Sequence, residues 1–485
     1  MSATAVVRPR RPVLVFLGFA ALVSLTATAC GSQLSHSEIV SAAQGSGADS
    51  TEGRGPAAEG TGPEDSTGGN GLGGASTGGS TGSSLGTSGS STGTSGTVGA
   101  PGTTTTTGSG STGQQGGTSG GSSKRSTILL GNVGGYSGPV GASTAPAQTM
   151  LKVWEAYTND HGGLNGHPVK VISLDDQSDP SKTRSLVQEL VENKHVVAFV
   201  GNQMALTASA PRSYVEKKQM PFVGGDLTSV WHQSPMYFAE GASLRTIVLG
   251  LARTAAQADK KKLGMLYCAE ASACSEIYDI VYRQGGAAAQ GIEPAYHAQI
   301  SLAQPDFTSE CISARNAGVD ALSVVADVGT TNRVAASCAR QGYHPTFVNT
   351  GNTVNGAQET NPNLDGMLTT QNWFGWALDT GAGKIYADAL KRYAPDLGSS
   401  AATASIWASG QLLARALRDV GPGPVTSQNI LQSLWKLKNE TLDGLSVPLT
   451  FAKGKPTQAA TCYFAQEIVR KKWTVLNAGK PICLT

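Results

Sequence analysis

From Arg125 onward, short apolar runs alternate with segments of helical period, and this alternation constrains the fold more than any other feature of the chain. The runs read as strands at 127–132, 169–174, 196–200, 221–224, 263–267, 321–325, 346–349 and 367–370. Amphipathic stretches at 145–159, 181–193, 209–218, 244–256, 274–284, 307–317 and 332–340 separate them. Strands alternating with helices of this length build βαβ units, whose parallel sheets need cover on both faces. There is chain enough for two such sheets, so the expectation is an α/β protein of two Rossmann-like lobes. The last third changes character, with helices at 383–393, 402–419 and 427–436, then strands at 449–451, 461–469 and 473–476. A segment that returns in this way crosses between lobes more than once, and a multi-crossing hinge permits closure around a guest. The expected divisions are 126–240 for the first lobe, 241–371 for the second, and 372–485 for returning elements shared by both.

The first quarter cannot join this core. Residues 45–123 are dominated by Gly, Ser and Thr, which bury too little apolar area to offset the entropy of ordering. We read 30–124 as a disordered tether, whose r.m.s. reach is about 50 Å for roughly 80 flexible residues. A plain spacer is the simpler reading of its hydroxyls, with O-glycosylation the alternative. Upstream, Arg8, Arg10 and Arg11 precede an apolar run from Val13 to Val23 and the small-residue stretch Thr26-Ala27-Thr28-Ala29-Cys30. These are the parts of an export signal, and the apolar run is short for a membrane span. Small residues before Cys30, with Gly31 and Ser32 after it, look like a lipobox, although Ala27 stands where Leu is usual. On that reading 1–29 is a signal peptide, and Cys30 carries lipid that holds the protein on the outer face of the membrane. The alternative is an ordinary cleaved signal in which Cys30 is incidental.

Setting Cys30 aside leaves an even six of the seven cysteines: Cys268, Cys274, Cys311, Cys338, Cys462 and Cys483. An oxidising compartment would let them bridge, each bridge contributing about 2–4 kcal/mol. Proximity favours 268 with 274, 311 with 338, and 462 with 483, among the fifteen or so pairings that six cysteines allow. No CxxC pair or nearby His cluster points to a catalytic thiol or a zinc site.

Other classes of function find little support. The formal charge of +2, from 36 basic and 34 acidic residues with no long Lys/Arg run, leaves no footprint for nucleic acid. The seven histidines are scattered, with no HExxH, no phosphate loop and no GxSxG elbow between a strand and a helix. Asp175 and Asp176 are adjacent at a strand end and project to opposite sides, a poor arrangement for shared acid/base work. We expect no enzyme, no cofactor and no metal.

Three linked motifs are more specific. Ser137-Gly138-Pro139-Val140, Asn159-Asp160-His161-Gly162-Gly163-Leu164-Asn165-Gly166 and Asp175-Asp176-Gln177-Ser178-Asp179-Pro180 follow one another at set separations. In order and spacing they resemble the opening of the branched-chain amino-acid-binding family of type I periplasmic binding proteins. The resemblance extends over about residues 126–478. It implies two hinged lobes and a monomeric extracytoplasmic lipoprotein that presents a small polar solute, such as an amino acid or amide, to an ABC permease. A sensor or a wall-binding lipoprotein using the same fold is the alternative. The motifs also have direct physical readings. Gly162, Gly163 and Gly166 suit a tight helix-to-strand turn with positive φ. Asp175, Asp176 and Asp179 favour the positive end of the next helix, with Ser178 or Asp179 as its cap, and a metal site is the alternative.

Guests of open α/β sheets bind beyond the carboxyl ends of the strands. Here those loops are 136–144, 202–207, 225–229, 269–272, 327–330 and 349–355, which bring forward Tyr136, Ser137 and Gln203. Carried over from the family, Thr228 matches a carboxylate-gripping threonine, and Asp226 falls where a backbone amide assists it. Ala205 replaces the family's carboxylate-binding serine, and Ser143 replaces an aromatic wall. Val328 lies near a ligand-facing tyrosine and Gly351 near the acid that meets the α-ammonium, for which Asp327 or Glu270 are substitutes. These losses make leucine, isoleucine and valine poor candidates for the solute. Among Trp231, Tyr237, Trp373, Phe374 and Trp376 as possible cleft walls, Trp373 is the expected one, while Trp154, Trp407, Trp435 and Trp473 read as core.

Overall fold

The computed structural model describes residues 125–484, apart from Leu227, Asp419 and Pro422. The expected signal peptide, the expected lipid attachment at Cys30 and the expected tether therefore lie outside the described residues. The first lobe is a parallel five-stranded sheet in the order β2-β1-β3-β4-β5: β1 (Ile128–Gly134), β2 (Val169–Asp175), β3 (Ala198–Asn202), β4 (Phe222–Gly225) and β5 (Tyr237–Phe238). β3 is buried along its whole length, as a central parallel strand covered on two faces must be. The connections carry α1 (Gly141–Asp160), α2 (Pro180–Glu192) and α3 (Arg212–Lys218).

The chain then enters the second lobe through α4 (Leu244–Gln257). Its sheet contains β6 (Lys262–Cys268), β7 (Glu293–Ile300), β8 (Ala321–Val325), β9 (Thr346–Thr350) and β10 (Leu368–Gln371), paired in parallel. The connecting helices are α5 (Ser272–Tyr278), α6 (Gly286–Ala289), α7 (Thr308–Asn316) and α8 (Val328–Arg340). After β10 the chain goes back to the first lobe with α9 (Gly381–Tyr393), α10 (Ala401–Leu417) and α11 (Ser427–Leu434). It finally extends the second sheet with β11 (Cys462–Ile468), antiparallel to β10, then β12 (Trp473–Val475) and β13 (Ile482–Cys483). The protein is thus the two-lobed α/β fold expected from the strand and helix pattern.

α10 shows why the return is firm. It is buried almost all round because it lies between α1, α11 and the strands β3 and β4. Gly410 allows this packing, since a Cβ there would meet Trp154 Nε1 at 2.1 Å. Gly163, at φ 76°, is equally constrained, with His167 O only 2.2 Å from where a Cβ would lie.

The three crossings are stitched to one another. Ala242 N–H donates to Asn372 O and Asn372 Nδ2 donates to Ala242 O, both at 2.7 Å. Phe374 N–H donates to Leu445 O at 3.0 Å, Ser446 Oγ to Glu240 O at 2.6 Å, and Thr457 Oγ1 to Tyr237 O at 2.9 Å. The bridges are Cys268–Cys274, Cys311–Cys338 and Cys462–Cys483.

Besides the short β5, α6 and β13, which the sequence pattern did not include, two elements differ from expectation. β7 was not anticipated, because as an edge strand beginning Glu293-Pro294 it buries only Ile300 fully and shows no clear period. Residues 449–451 form no strand, since Leu449 makes only an isolated bridge to Glu440.

Candidate functional site

A cleft opens between the lobes at the carboxyl ends of the strands. It consists of two adjoining chambers of about 220 Å³ and 170 Å³, which share Ser143, Thr144, Asp226 and Asn352. Together they reach the lower end of the range of roughly 300–1,000 Å³ usual for small-molecule sites. The outer chamber is bounded by Gln203, Val328, Asn355, Trp373 and the segment 397–402. The inner one is largely apolar: Val140, Ala205 and Leu206 face Leu244, Ile277, Leu302, Val325 and the Cys268–Cys274 bridge.

Asp226 stands where the chambers meet. Its carboxyl is buried and accepts one hydrogen bond, from Asn352 Nδ2 across the cleft at 3.1 Å. Burial pushes it up to about 6. Its backbone N–H, expected to hold a ligand, is instead taken by Asn202 O at 3.0 Å, so the side chain is what this residue offers the cleft. Thr228 lines the inner chamber, and its buried Oγ1 has no partner among the described residues. Trp373 borders the outer chamber, with its indole N–H also buried and unpaired. Other buried polar atoms, such as Trp154 Nε1 and Trp376 Nε1, also lack partners, but Thr228 and Trp373 are the residues of this kind that border the chambers, where a guest can reach them. Ser143 touches both chambers, Gln203 the outer and Ala205 the inner.

Four expected residues line neither chamber, each because another group claims it. Tyr136 turns into the lobe, where its hydroxyl donates to Asn132 Oδ1 at 2.5 Å and burial pushes the phenol well above its ordinary range. Ser137 is held by Asp175, its Oγ donating to Oδ2 at 2.5 Å. Glu270 accepts from Ser301 Oγ at 2.7 Å and Leu302 N–H at 2.9 Å. Gly351 packs on Gln371, whose Oε1 lies 2.2 Å from where a Cβ would be. Asp327 does border the inner chamber, but its carboxylate caps α8 through Gly329 N–H at 2.8 Å, Thr330 N–H at 3.1 Å and Thr330 Oγ1 at 2.5 Å.

The acidic motif is a structural element. Asp179 caps α2 through Ser181 N–H at 2.7 Å and Lys182 N–H at 3.2 Å. Buried Asp176 accepts from Ser178 N–H and from the hydroxyls of Thr183 and Thr207. No group of three or more His, Cys, Asp or Glu among the described residues is placed to hold a metal. Trp231, Tyr237, Phe374 and Trp376 are buried in packing and leave Trp373 as the cleft aromatic.

Asn352, Leu206 and Ile277 escaped the sequence reading, though the first two lie in loops it had marked. Ser399 and Ser400 carried no signal at all, because α10 brings them to the cleft from the far end of the chain.

The sequence profile of the family described as Periplasmic binding protein matches residues 127–472. No curated protein sequence matches significantly. Among solved structures, a branched chain amino acid ABC transporter protein from Thermus thermophilus with bound valine superposes with a TM-score of 0.64 at 14% identity, covering 74% of this chain and 97% of that one. A fatty acid ABC transporter substrate-binding protein from Thermomonospora curvata gives 0.62 at 17%, covering 74% and 93%. An ABC transporter solute binding protein from R. palustris in complex with benzoate gives 0.61 at 16%, covering 74% and 98%.

Proposed function

Since the chain belongs to the periplasmic binding protein family, a family of binders and not of enzymes, we propose that it is the extracytoplasmic solute receptor of an ABC importer. It takes a small molecule with polar groups into the interlobe cleft and presents it to a permease. The observation that carries this reading is the cleft itself, where the unpaired Thr228 hydroxyl and the buried Asp226 carboxyl face a cavity bounded by both lobes. A group left unpaired beside a cavity is one that a guest can satisfy, and a hinge of three stitched crossings lets the lobes close on it. One structural relative holds valine, another holds benzoate and a third is described as a fatty acid transporter protein, so the fold supports the receptor role and leaves the cargo to the lining.

Thermal-shift screening of the purified protein against amino acids, amides, amines, urea and short sugars tests the reading. A true guest raises the Tm by mass action once it exceeds its Kd. No shift with any small compound, combined with retention on cell-wall fragments, would replace the receptor by a wall-binding protein. Attachment to the membrane through lipid on Cys30 belongs to the same proposal. Cys30→Ala is expected to release the protein into the medium, and its retention on membranes in high salt would count against the anchor.

A further inference from the structure

We infer that the guest carries a protonated amine or an equivalent cationic N–H group beside an apolar body, and that the Asp226 carboxylate is its counter-charge. This rests on the cleft being the binding site. None of the described residues that line either chamber is Lys, Arg or His, and the only ionisable ones are Asp226 and Asp327. Asp327 has its carboxylate committed to the first turn of α8. Asp226 is different, because the only hydrogen-bond partner of its carboxyl among the described residues is a neutral amide from the opposite lobe.

A carboxylate buried beside a cavity without a cation has lost solvation and gained little in return. An ammonium donating to it would restore that loss through a charge-assisted hydrogen bond, which is about twice as strong as a neutral one. A guest whose only charge is a carboxylate meets the reverse situation: Asp226 repels it and no lining cation compensates. The rest of such a guest has a place prepared. The inner chamber next to Asp226 offers Leu206, Leu244, Ile277, Leu302 and Val325, with the unpaired Thr228 hydroxyl at its edge.

Two matched sets of compounds test this by calorimetry on the whole protein: isopentylamine, leucine and isocaproate, then phenethylamine, phenylalanine and hydrocinnamate. Within a set the apolar body is the same while the amine, the zwitterion and the acid exchange places. In at least one set the amine is expected to bind about tenfold or more tightly than the acid. Asp226→Asn keeps the shape and the link to Asn352, and it should erase that preference in a protein that still unfolds cooperatively. An acid that binds as well as its amine, or an Asp226→Asn variant with unchanged amine affinity, overturns the inference while leaving the receptor role intact. Binding of no member of either set, together with a blank thermal-shift screen, overturns the receptor role and the inference with it.

Discussion

Two buried carboxyls sit between the lobes, one in the hinge and one in the cleft, and their surroundings separate structural polarity from functional polarity. In the hinge, Glu240 Oε1 accepts from Gly225 N–H at 3.2 Å and from Ser405 Oγ at 3.1 Å, and its backbone carbonyl receives Ser446 Oγ. First-lobe strand, returning helix and last crossing thus meet on one residue that water does not reach, and burial pushes its carboxyl up to about 8. In the cleft, the Asp226 carboxyl has one neutral partner among the described residues and a cavity beside it. Glu240 Oε2 is also buried without a partner among the described residues, but it lines neither chamber; what sets Asp226 apart is the open volume beside it, where a guest can reach an unused acceptor.

The largest test of this contrast is Glu240→Gln. Because the folded-state carboxyl titrates above its unfolded value, folding takes up a proton at this residue between about 4.5 and 8, so its contribution to stability is greatest at the acid end and falls as pH rises. From pH 5 to 8 that loss is roughly 4 kcal/mol, and the glutamine variant should abolish it. Urea melts across that range check it; an unchanged slope would mean that Glu240 is not the titrating group. Next in size is Thr228→Ala, expected to weaken whichever guest is found by about 1–3 kcal/mol while leaving the pH slope of stability in place. Calorimetry showing equal affinity would move the site away from the inner chamber. Replacing Cys268 and Cys274 together by Ser removes a short loop closure and should cost about 2 kcal/mol of stability. It should also loosen the second-lobe wall, so that guests with bulky apolar bodies lose more affinity than small ones. The smallest effect is expected for Asp179→Ala, away from both regions, where loss of the α2 cap costs about 1 kcal/mol and guest affinity stays constant. A change in affinity there would show that first-lobe stability and the cleft are coupled.

Much of the fold was legible because its causes are local. Asp179 is two and three residues from the amides it caps, and Gly163 is forced by the turn it makes, so both could be assigned from neighbours in the chain. The cleft was harder because the outcome depends on competition among groups far apart. Tyr136 and Ser137 lie in the right loop, yet Asn132 and Asp175 hold them first. Asp226 was expected to serve through its amide, but Asn202 reaches that amide from the neighbouring strand and leaves the side chain as the group that borders the cavity.

Periodicity alone determined that this chain would form two α/β halves with a returning C-terminal segment, because burial of each strand and helix face is written at fixed spacing. The cysteines nearest one another in the sequence were also those that bridged. The tertiary structure alone decided which polar atoms remain free at the gap, and it brought Asn352, Ser399 and Ser400 to face residues more than a hundred positions away. The physical reason is that an element forms from interactions with its neighbours, while a binding group is whatever the finished packing leaves unsatisfied.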